Sequence, residues 1–322
     1  MIPCLYDSRE TKFNHNGIGK LADAQSCTVT EKRNGSYELK LICPADGIHA
    51  EMLEEGNIIL AKPSDTMQPQ PFRIYKITTP IDGKLEVQAR HISYQLNFIT
   101  VSPFSVSGCA GAVQGLKSHA ASDCPFSVWT DVASSAMFTV SVPASFRNCL
   151  GGMDGSVLDT FGGEFEWDRY TVKFHRARGA DHNVHIVYGK NLMDFKMEKS
   201  IENTITGVHP YWVDNETQAV MELPEKVVMV RRKSVPYQKI TVLDCTSAFQ
   251  EKPSEAALRG YAQDYIDTTS LTEPEVDIKI DFIQLWNTPG YEDVVQAEQV
   301  SLCDTVHVYI SKLGIEASSK VT

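Results

Sequence analysis

The chain has 322 residues and a formal net charge of −11 at pH 7, with 42% hydrophobic and 22% charged residues. This composition is that of an ordinary globular protein, and the length predicts roughly two to four domains, because single cores stop growing below this size. The acidity argues against a basic nucleic-acid-binding face. Neither a signal-peptide pattern nor an apolar run of about 18 residues occurs, so no leader, no transmembrane helix and no membrane insertion are expected.

Residues 1–100 are predicted to form short β-strands joined by tight turns. Polar and apolar residues alternate along 24–32 and 36–43, and Asn34-Gly35 between them favours a hairpin, because both residues tolerate positive φ. Three further segments are predicted strands: 57–61, 71–79 and 85–91. Many short strands of this kind indicate a β-barrel or a sandwich.

Residues 101–195 are predicted to form a second, α+β domain. The Ala-rich segment 109–122 has apolar residues at helical spacing and predicts a helix. Shorter helices are expected at 145–150 and 156–161, around glycines that suit turns. Three strands should follow, at 163–168, 169–176 and 182–188.

The remaining third of the chain returns to β-structure. Strands are predicted at 199–213, 218–222 and 226–231, and residues 196–235 are expected to complete the barrel of residues 1–100. Residues 236–300 predict a helix-plus-strand domain, with a helix at 253–268 and an alternating strand at 275–284. Two short strands within 299–311 place residues 301–322 back with the second domain. The end at Thr322 is interpreted as a cut at an internal point.

Eight cysteines are spread along the chain without any C-x-x-C pair. A zinc finger or ribbon needs closely spaced ligand pairs, so this kind of site is not expected. Apolar neighbours indicate that the cysteines are small buried hydrophobic residues. Assembly in a reducing cytoplasm is the natural inference.

Cysteine and histidine residues are candidates for nucleophilic catalysis and for metal binding. A nucleophilic cysteine usually opens a helix, where its pKa is lowered; Cys109 fits that position loosely and Cys149 less well. His182 and His185 are three residues apart in a predicted strand and so point to opposite faces, which disfavours a shared metal. Exposed strand histidines are the favoured interpretation.

Three carboxylates alternate with aromatic residues along the predicted strand 163–168. Glu164, Glu166 and Asp168 fall at i, i+2 and i+4 and therefore share one face, opposite Phe165 and Trp167. Paired carboxylates hydrolyse glycosides. A solvated strand face over an apolar face is the favoured interpretation.

Other patterns also have structural interpretations. The glycines at 151, 152 and 155 suit turns, and the basic run 231–233 suits a solvated strand end. Four tryptophans could line a sugar groove but are expected in the core: Trp129, Trp167, Trp212 and Trp286. No P-loop, dinucleotide fingerprint or nucleophile elbow occurs. No catalytic residue, cofactor-binding residue or metal ligand is assigned, and no cofactor is expected.

Several segments together resemble the phage tail proteins of the prophage endopeptidase tail, or tail-associated lysin, family. They are LADA (21–24), TVTEKRNGSYELKLICP (28–44), HISY (91–94), GGMDGSVLDTFGGEFEWDRYTVKFHRARG (151–179), YGKNL (188–192) and TGVHPYW (206–212), with a weaker echo in LCDTV (302–306). They follow the family order. One departure is Cys303, where the family pattern leads us to expect a glycine before the aspartate.

The resemblance implies a β-rich α+β fold with two tube-forming, β-barrel-like domains and helical insertions, as in baseplate hubs. It implies a homotrimer in the virion tail that closes the distal end of the tail tube and contacts tube, distal tail and tape-measure proteins. DNA would pass through an acidic lumen without specific binding. Lytic activity in this family lies in modules C-terminal to this region, so the chain is expected not to be an enzyme. The alternative is a peptidoglycan hydrolase or a carbohydrate-binding tail protein.

Overall fold

The structure, a computed structural model, describes residues 1–64, 67–81, 83–187, 192–214, 216–231, 235–249, 251–282, 300–310 and 315–322. The chain forms two compact units. Unit 1 contains Met1–Val187 and Gln284–Thr322, and unit 2 contains Tyr188–Ile283. The fold is rich in β-strands and has few helices, which confirms the predicted class.

The first part of unit 1 is an antiparallel sheet. Its strands are β1 (Cys4–Tyr6), β2 (Gly19–Lys20), β3 (Ser26–Glu31), β4 (Tyr37–Pro44), β5 (Ile58–Ala61), β6 (Gln70–Thr78) and β7 (Lys84–His91). Among the described residues their order is β2-β1-β5-β6-β7-β4-β3. Alternation along β4 buries Tyr37, Leu39 and Leu41 and leaves Lys40 exposed. The predicted alternating strands therefore form as β3 and β4; the apolar face of β4 is buried, and Cys27 and Val29 of β3 are half-buried.

The predicted hairpin turn joins β3 to β4. Asn34 has a φ of 53°, a conformation that asparagine tolerates better than most residues. Its side chain also bonds outside the hairpin: Nδ2 donates to Gly163 O at 2.9 Å, and Oδ1 accepts from Phe165 N at 2.8 Å. The turn is thereby attached to the backbone of a segment about 130 residues later.

Residues 100–187 add short strands and three helices. The elements are β8 (Thr100–Val101), β9 (Phe104–Ser107), α1 (Cys109–Ser118), β10 (Ser127–Thr130), β11 (Met137–Val140), β12 (Ala144–Ser145), α2 (Phe146–Gly151), α3 (Val157–Phe161), β13 (Glu164–Asp168), β14 (Thr171–His175) and β15 (Asp181–Val187). Ser145 and Ser156 cap α2 and α3 through their hydroxyl groups. Helix α1 ends four residues earlier than predicted, because Ala120 pairs with Val101 in a β-bridge.

Unit 2 contains β16 (Leu192–Ser200), β17 (Gly207–Val213), β18 (Val220–Glu222), β19 (Val228–Met229), β20 (Ile240–Asp244), α4 (Glu255–Thr268) and β21 (Glu275–Phe282). β16 pairs with β21, and β17 pairs with β18, β19 and β20. Ser254 caps α4, which buries Leu258, Ala262 and Ile266.

Residues 196–235 were predicted to complete the sheet of residues 1–100, and the structure corrects this. Their strands pair within unit 2, with β20 and β21, and none of the described pairs joins them to β1–β7. The physical reason is that alternation fixes which face of a strand is apolar but not which strand it pairs with.

The chain then returns to unit 1 through β22 (Thr305–Ile310) and β23 (Ile315–Lys320). β22 lies parallel to β15 and antiparallel to β23. The buried apolar residues between Cys4 and Phe174 form one continuous cluster. The domain boundary predicted near residue 100 therefore does not separate two cores.

The cysteines follow the predicted pattern of buried hydrophobic residues. All eight are free thiols; Cys27 and Cys124 are half-buried and the other six are buried. Over the residues described, none of the helices is both long and apolar enough to cross a membrane.

Candidate functional site

The most concentrated group of charged side chains lies on β13 and β14 of unit 1. Phe165 and Trp167 are each 3% exposed and lie in the core, so Glu166 and Asp168 face the other way, as predicted from the alternation. β13 begins after Gly163, whose φ is 126°. This conformation suits glycine alone.

Two side chains of β14, Lys173 and His175, contact the carboxylates of β13. Lys173 Nζ lies 3.0 Å from Glu166 Oε1 and 3.0 Å from Asp168 Oδ2. His175 Nε2 lies 2.7 Å from Glu166 Oε2. The antiparallel register explains these contacts, because Glu166 is the direct partner of Lys173.

Glu164 has its own partners from a distant part of the chain. Lys320 Nζ, in β23, donates to both carboxylate oxygens at 2.9 and 2.8 Å. The backbone N–H of Arg178 donates to Oε2, and the Arg33 guanidinium lies 3.5 Å from Oε1. The last strand of unit 1 is thus attached to β13 by a charged contact.

The pKa values of all three carboxyl groups lie below their ordinary values. Burial acts to raise them, but it is outweighed by the Lys173 hydrogen bonds for Glu166 and Asp168, and by those of Lys320 and the Arg178 amide for Glu164. Each carboxylate is therefore ionised at neutral pH.

This electrostatic state bears on the glycosidase alternative. A retaining or inverting glycosidase needs one carboxyl group with a raised pKa, which donates a proton to the leaving oxygen. Glu164, Glu166 and Asp168 are all shifted in the opposite direction. The row acts as an ion-paired surface that holds β13, β14 and β23 together.

A cleft of about 370 Å³ opens beside this row. Its lining combines apolar residues, among them Met67, Trp167 and Leu302, with polar side chains from β6, β13, β14, the segment after β14 and the segment before β22: Gln70, Glu166, Asp168, Lys173, Arg178 and Asp304. The volume lies within the range of small-molecule sites.

A second polar cluster adjoins the first through Gln70, and no local sequence pattern indicates it. His91 Nδ1 lies 3.0 Å from Ser93 Oγ, and its Nε2 lies 3.3 Å from Gln70 Oε1. Burial and the nearby Arg147 charge lower the pKa of His91 to about 3. His91 and Ser93 are 0% and 1% exposed, so this serine–histidine pair has no substrate access and serves packing.

The cysteine candidates are not placed for catalysis. Cys109 does open helix α1, but it is buried, and its Sγ lies 3.6 Å from Thr130 Oγ1. Burial raises the pKa of the Cys109 thiol and of the Cys149 thiol. A nucleophilic cysteine needs the opposite shift.

The histidine candidates are not brought together around a metal. The His185 ring lies 5.5 Å from the ring of His307, which pairs with Asp181 at 3.1 Å. The His182 side chain lies outside the described residues. Within the described parts of the chain, no group of three or more His, Cys, Asp or Glu side chains could hold a metal ion.

The tryptophans divide between core and surface. Trp167 and Trp212 are buried as predicted, at 3% and 5% exposure, whereas Trp129 is 46% exposed. Trp129 is exposed because its side chain lies on the same face of the sheet as Lys173, opposite the face that carries the buried Phe174. Trp286 lies outside the described residues. The same holds for residues 232–233 of the basic run 231–233, and for residues 188–191 of the segment YGKNL that resembles the tail protein family.

Solved structures of phage tail proteins share this fold. The 43 kDa tail protein of prophage MuSo2 from Shewanella oneidensis aligns with a TM-score of 0.59 at 9% identity, over 98% of this chain and 86% of that chain. Prophage tail protein gp18 from Listeria monocytogenes EGD-e aligns with a TM-score of 0.56 at 11% identity, over 99% and 88%. The tail protein from Neisseria meningitidis MC58 aligns with a TM-score of 0.56 at 12% identity, over 88% and 81%.

Comparison of the sequence with family models gives one match, over part of the chain. The model of the glycosyl hydrolase family 78 alpha-rhamnosidase N-terminal domain matches residues 165–259. This match begins in β13 of unit 1 and ends in α4 of unit 2, so it coincides with neither compact unit. No curated protein matches the chain.

Proposed function

We propose that the chain is a structural component of a phage or prophage tail and belongs with the prophage endopeptidase tail proteins. The observation that carries this proposal is the fold likeness to three tail proteins over 88–99% of the chain. The resembling segments support it, because two of them also meet in space. Asn34, in the segment 28–44, binds Gly163 and Phe165 in the segment 151–179.

Within the tail, the chain is a homotrimeric hub at the distal end of the tail tube. Its β-rich units contribute to the tube wall, and its partners are the tail tube, distal tail and tape-measure proteins of the virion. The charge of −11 supports a role as a conduit, because an acidic lumen repels the phosphate backbone and lets DNA pass. The protein assembles in the host cytoplasm and functions in the virion tail during host attachment.

The role is structural and not enzymatic. Three features support this: the lowered pKa values of the β13 carboxylates, the raised pKa values of the Cys109 and Cys149 thiols, and the burial of the Ser93–His91 pair. A peptidoglycan-digestion assay with the purified chain tests this part, and we expect no release of soluble fragments above a buffer control.

Light scattering across a concentration series tests the hub itself. An obligate trimer should bury well over roughly 2,000 Å² of largely apolar surface, so the assembly should persist on dilution. The expected mass is three times the 35.8 kDa of the chain. A mass of one chain at every concentration, both alone and mixed with tail tube protein, would contradict the trimeric hub.

A further inference from the structure

The exposed Trp129 lies at one end of a row of side chains that crosses a three-stranded sheet. Trp129 in β10 is the direct partner of Lys173 in β14, and Lys173 is the direct partner of Glu166 in β13. The Trp129 ring also lies 5.1 Å from the His175 ring, which bonds to Glu166. The indole is therefore continuous with the polar groups through direct contacts.

This row leads into the cleft of about 370 Å³, since Glu166 and Lys173 belong to its lining. From β10 to β13 the row crosses two interstrand spacings, about 10 Å in total. The Trp129 ring, the charged side chains of the row and the cleft thus form one extended surface. A ligand that used the whole surface would have to be longer than a single six-membered ring.

Lys173 and the carboxylates that it contacts are held in place by ion pairs, but they can still form further hydrogen bonds. An ammonium group has three N–H donors, and two of those on Lys173 are used by Glu166 and Asp168 among the described contacts. Carboxylate oxygens each accept more than one hydrogen bond. Because the ion pairs fix these side chains, little conformational entropy would be lost when a ligand binds.

We propose that this surface, formed by Trp129, Lys173, His175, Glu166 and the adjoining cleft, binds a neutral saccharide of at least two linked pyranose rings. A pyranose with equatorial substituents presents a flat face of weakly positive C–H groups, which matches the negative face of an indole ring. Its hydroxyl groups both donate and accept, which matches a mixture of ammonium, imidazole and carboxylate.

The charges of the surface argue for a neutral ligand. The cation of Lys173 is already shared between two carboxylates, so the row offers no excess positive charge to a phosphate or a polyanion. An apolar ligand would remove water from these charged groups without replacing the hydrogen bonds that water makes. This site is independent of the tail function proposed above, and either proposal can fail without the other.

Titration calorimetry with chitotriose and cellotriose tests the site. We expect at least one of them to bind the intact chain with a Kd of about 1 mM or tighter. Trp129→Ala should weaken that binding at least tenfold, whereas Trp129→Phe should retain most of it. Phe98→Ala is the matched control, because Phe98 is an exposed aromatic residue of the same unit (86% exposed), and it should bind like the unchanged chain.

Two results would overturn the proposal. One is the absence of any binding to the intact chain at millimolar concentrations of both trisaccharides. The other is binding that Trp129→Ala leaves unchanged in a variant whose circular dichroism matches that of the intact chain. If Trp129→Ala instead reduces the mass seen by light scattering and no trisaccharide binds, the surface is a protein contact and not a saccharide site.

Discussion

Two turns of unit 1 each contain a residue other than glycine with a positive φ. Asn34 has a φ of 53° and Cys303 a φ of 72°. Asparagine tolerates this region, but cysteine has no such preference. The glycine expected at position 303 from the family pattern now has a physical reason, because the backbone there lies in the region that glycine enters without steric cost.

The positive φ of Cys303 predicts which of two substitutions there gives the more stable protein. Cys303→Gly and Cys303→Ala both remove the buried thiol, but only glycine relieves the left-handed strain. We expect Cys303→Gly to be more stable than Cys303→Ala by roughly 0.5–1 kcal/mol in urea unfolding, after glycine's larger unfolded-state entropy is deducted. The same pair at Cys149, inside helix α2, is the control and should show the opposite order. Equal stabilities at position 303 would contradict this account.

Among the elements, β13 and β14 form a charged network because carboxylates that alternate along one strand face basic side chains of the next. The alternation in the sequence placed Glu164, Glu166 and Asp168 on one face. The two-residue connection to β14 brings Lys173 opposite them, and Arg169 in that turn has a φ of 51°. The resulting network neutralises much of the charge on the strand.

Lys173→Met should destabilise the chain in a pH-dependent way. The folded pKa values of Glu166 and Asp168 lie below their unfolded values, so the stabilisation is present above about pH 4 and is lost as the pH falls through the folded values. Since these side chains are partly exposed, the expected loss at pH 7 is about 1 kcal/mol, and it should be smaller at about pH 3. Chemical unfolding at both pH values measures this.

Lys40→Met is the matched control for that measurement. Lys40 pairs with Glu86 at 3.1 Å on a neighbouring sheet and is more exposed than Lys173. Its loss should cost less than about 0.5 kcal/mol. A Lys173→Met variant that is as stable as Lys40→Met at pH 7 would show that the network around β13 contributes nothing measurable.

At the scale of the whole molecule, the acidic balance gives a direct test of the conduit idea. The chain has 41 acidic and 30 basic residues. We expect no change in the fluorescence anisotropy of labelled duplex DNA at about 50 mM salt, where non-specific electrostatic binding is strongest. Polylysine at the same concentration provides the positive control. Binding of DNA that weakens steeply as salt is added would show a basic surface and contradict a repelling lumen.

Local sequence patterns were sufficient to predict many of the strands and helices and the apolar face of several of them. Alternation predicted β4, β7 and β13, and apolar residues at helical spacing predicted a helix over 253–268, which forms as α4 from Glu255. The turn at Asn34 was also predictable, because a few adjacent residues fix it. Each of these features rests on interactions within about ten residues, so a local pattern suffices to encode it.

Which elements pair with one another follows from long-range packing. The sheet order β2-β1-β5-β6-β7-β4-β3, the pairing of β15 with β22, and the contact of Lys320 with Glu164 join residues that are far apart in the sequence. An amphipathic strand can pair with many others of the same pattern, and the choice among them follows from packing the complete core. For the same reason the sequence could not show that Trp129 is exposed while Trp167 is buried.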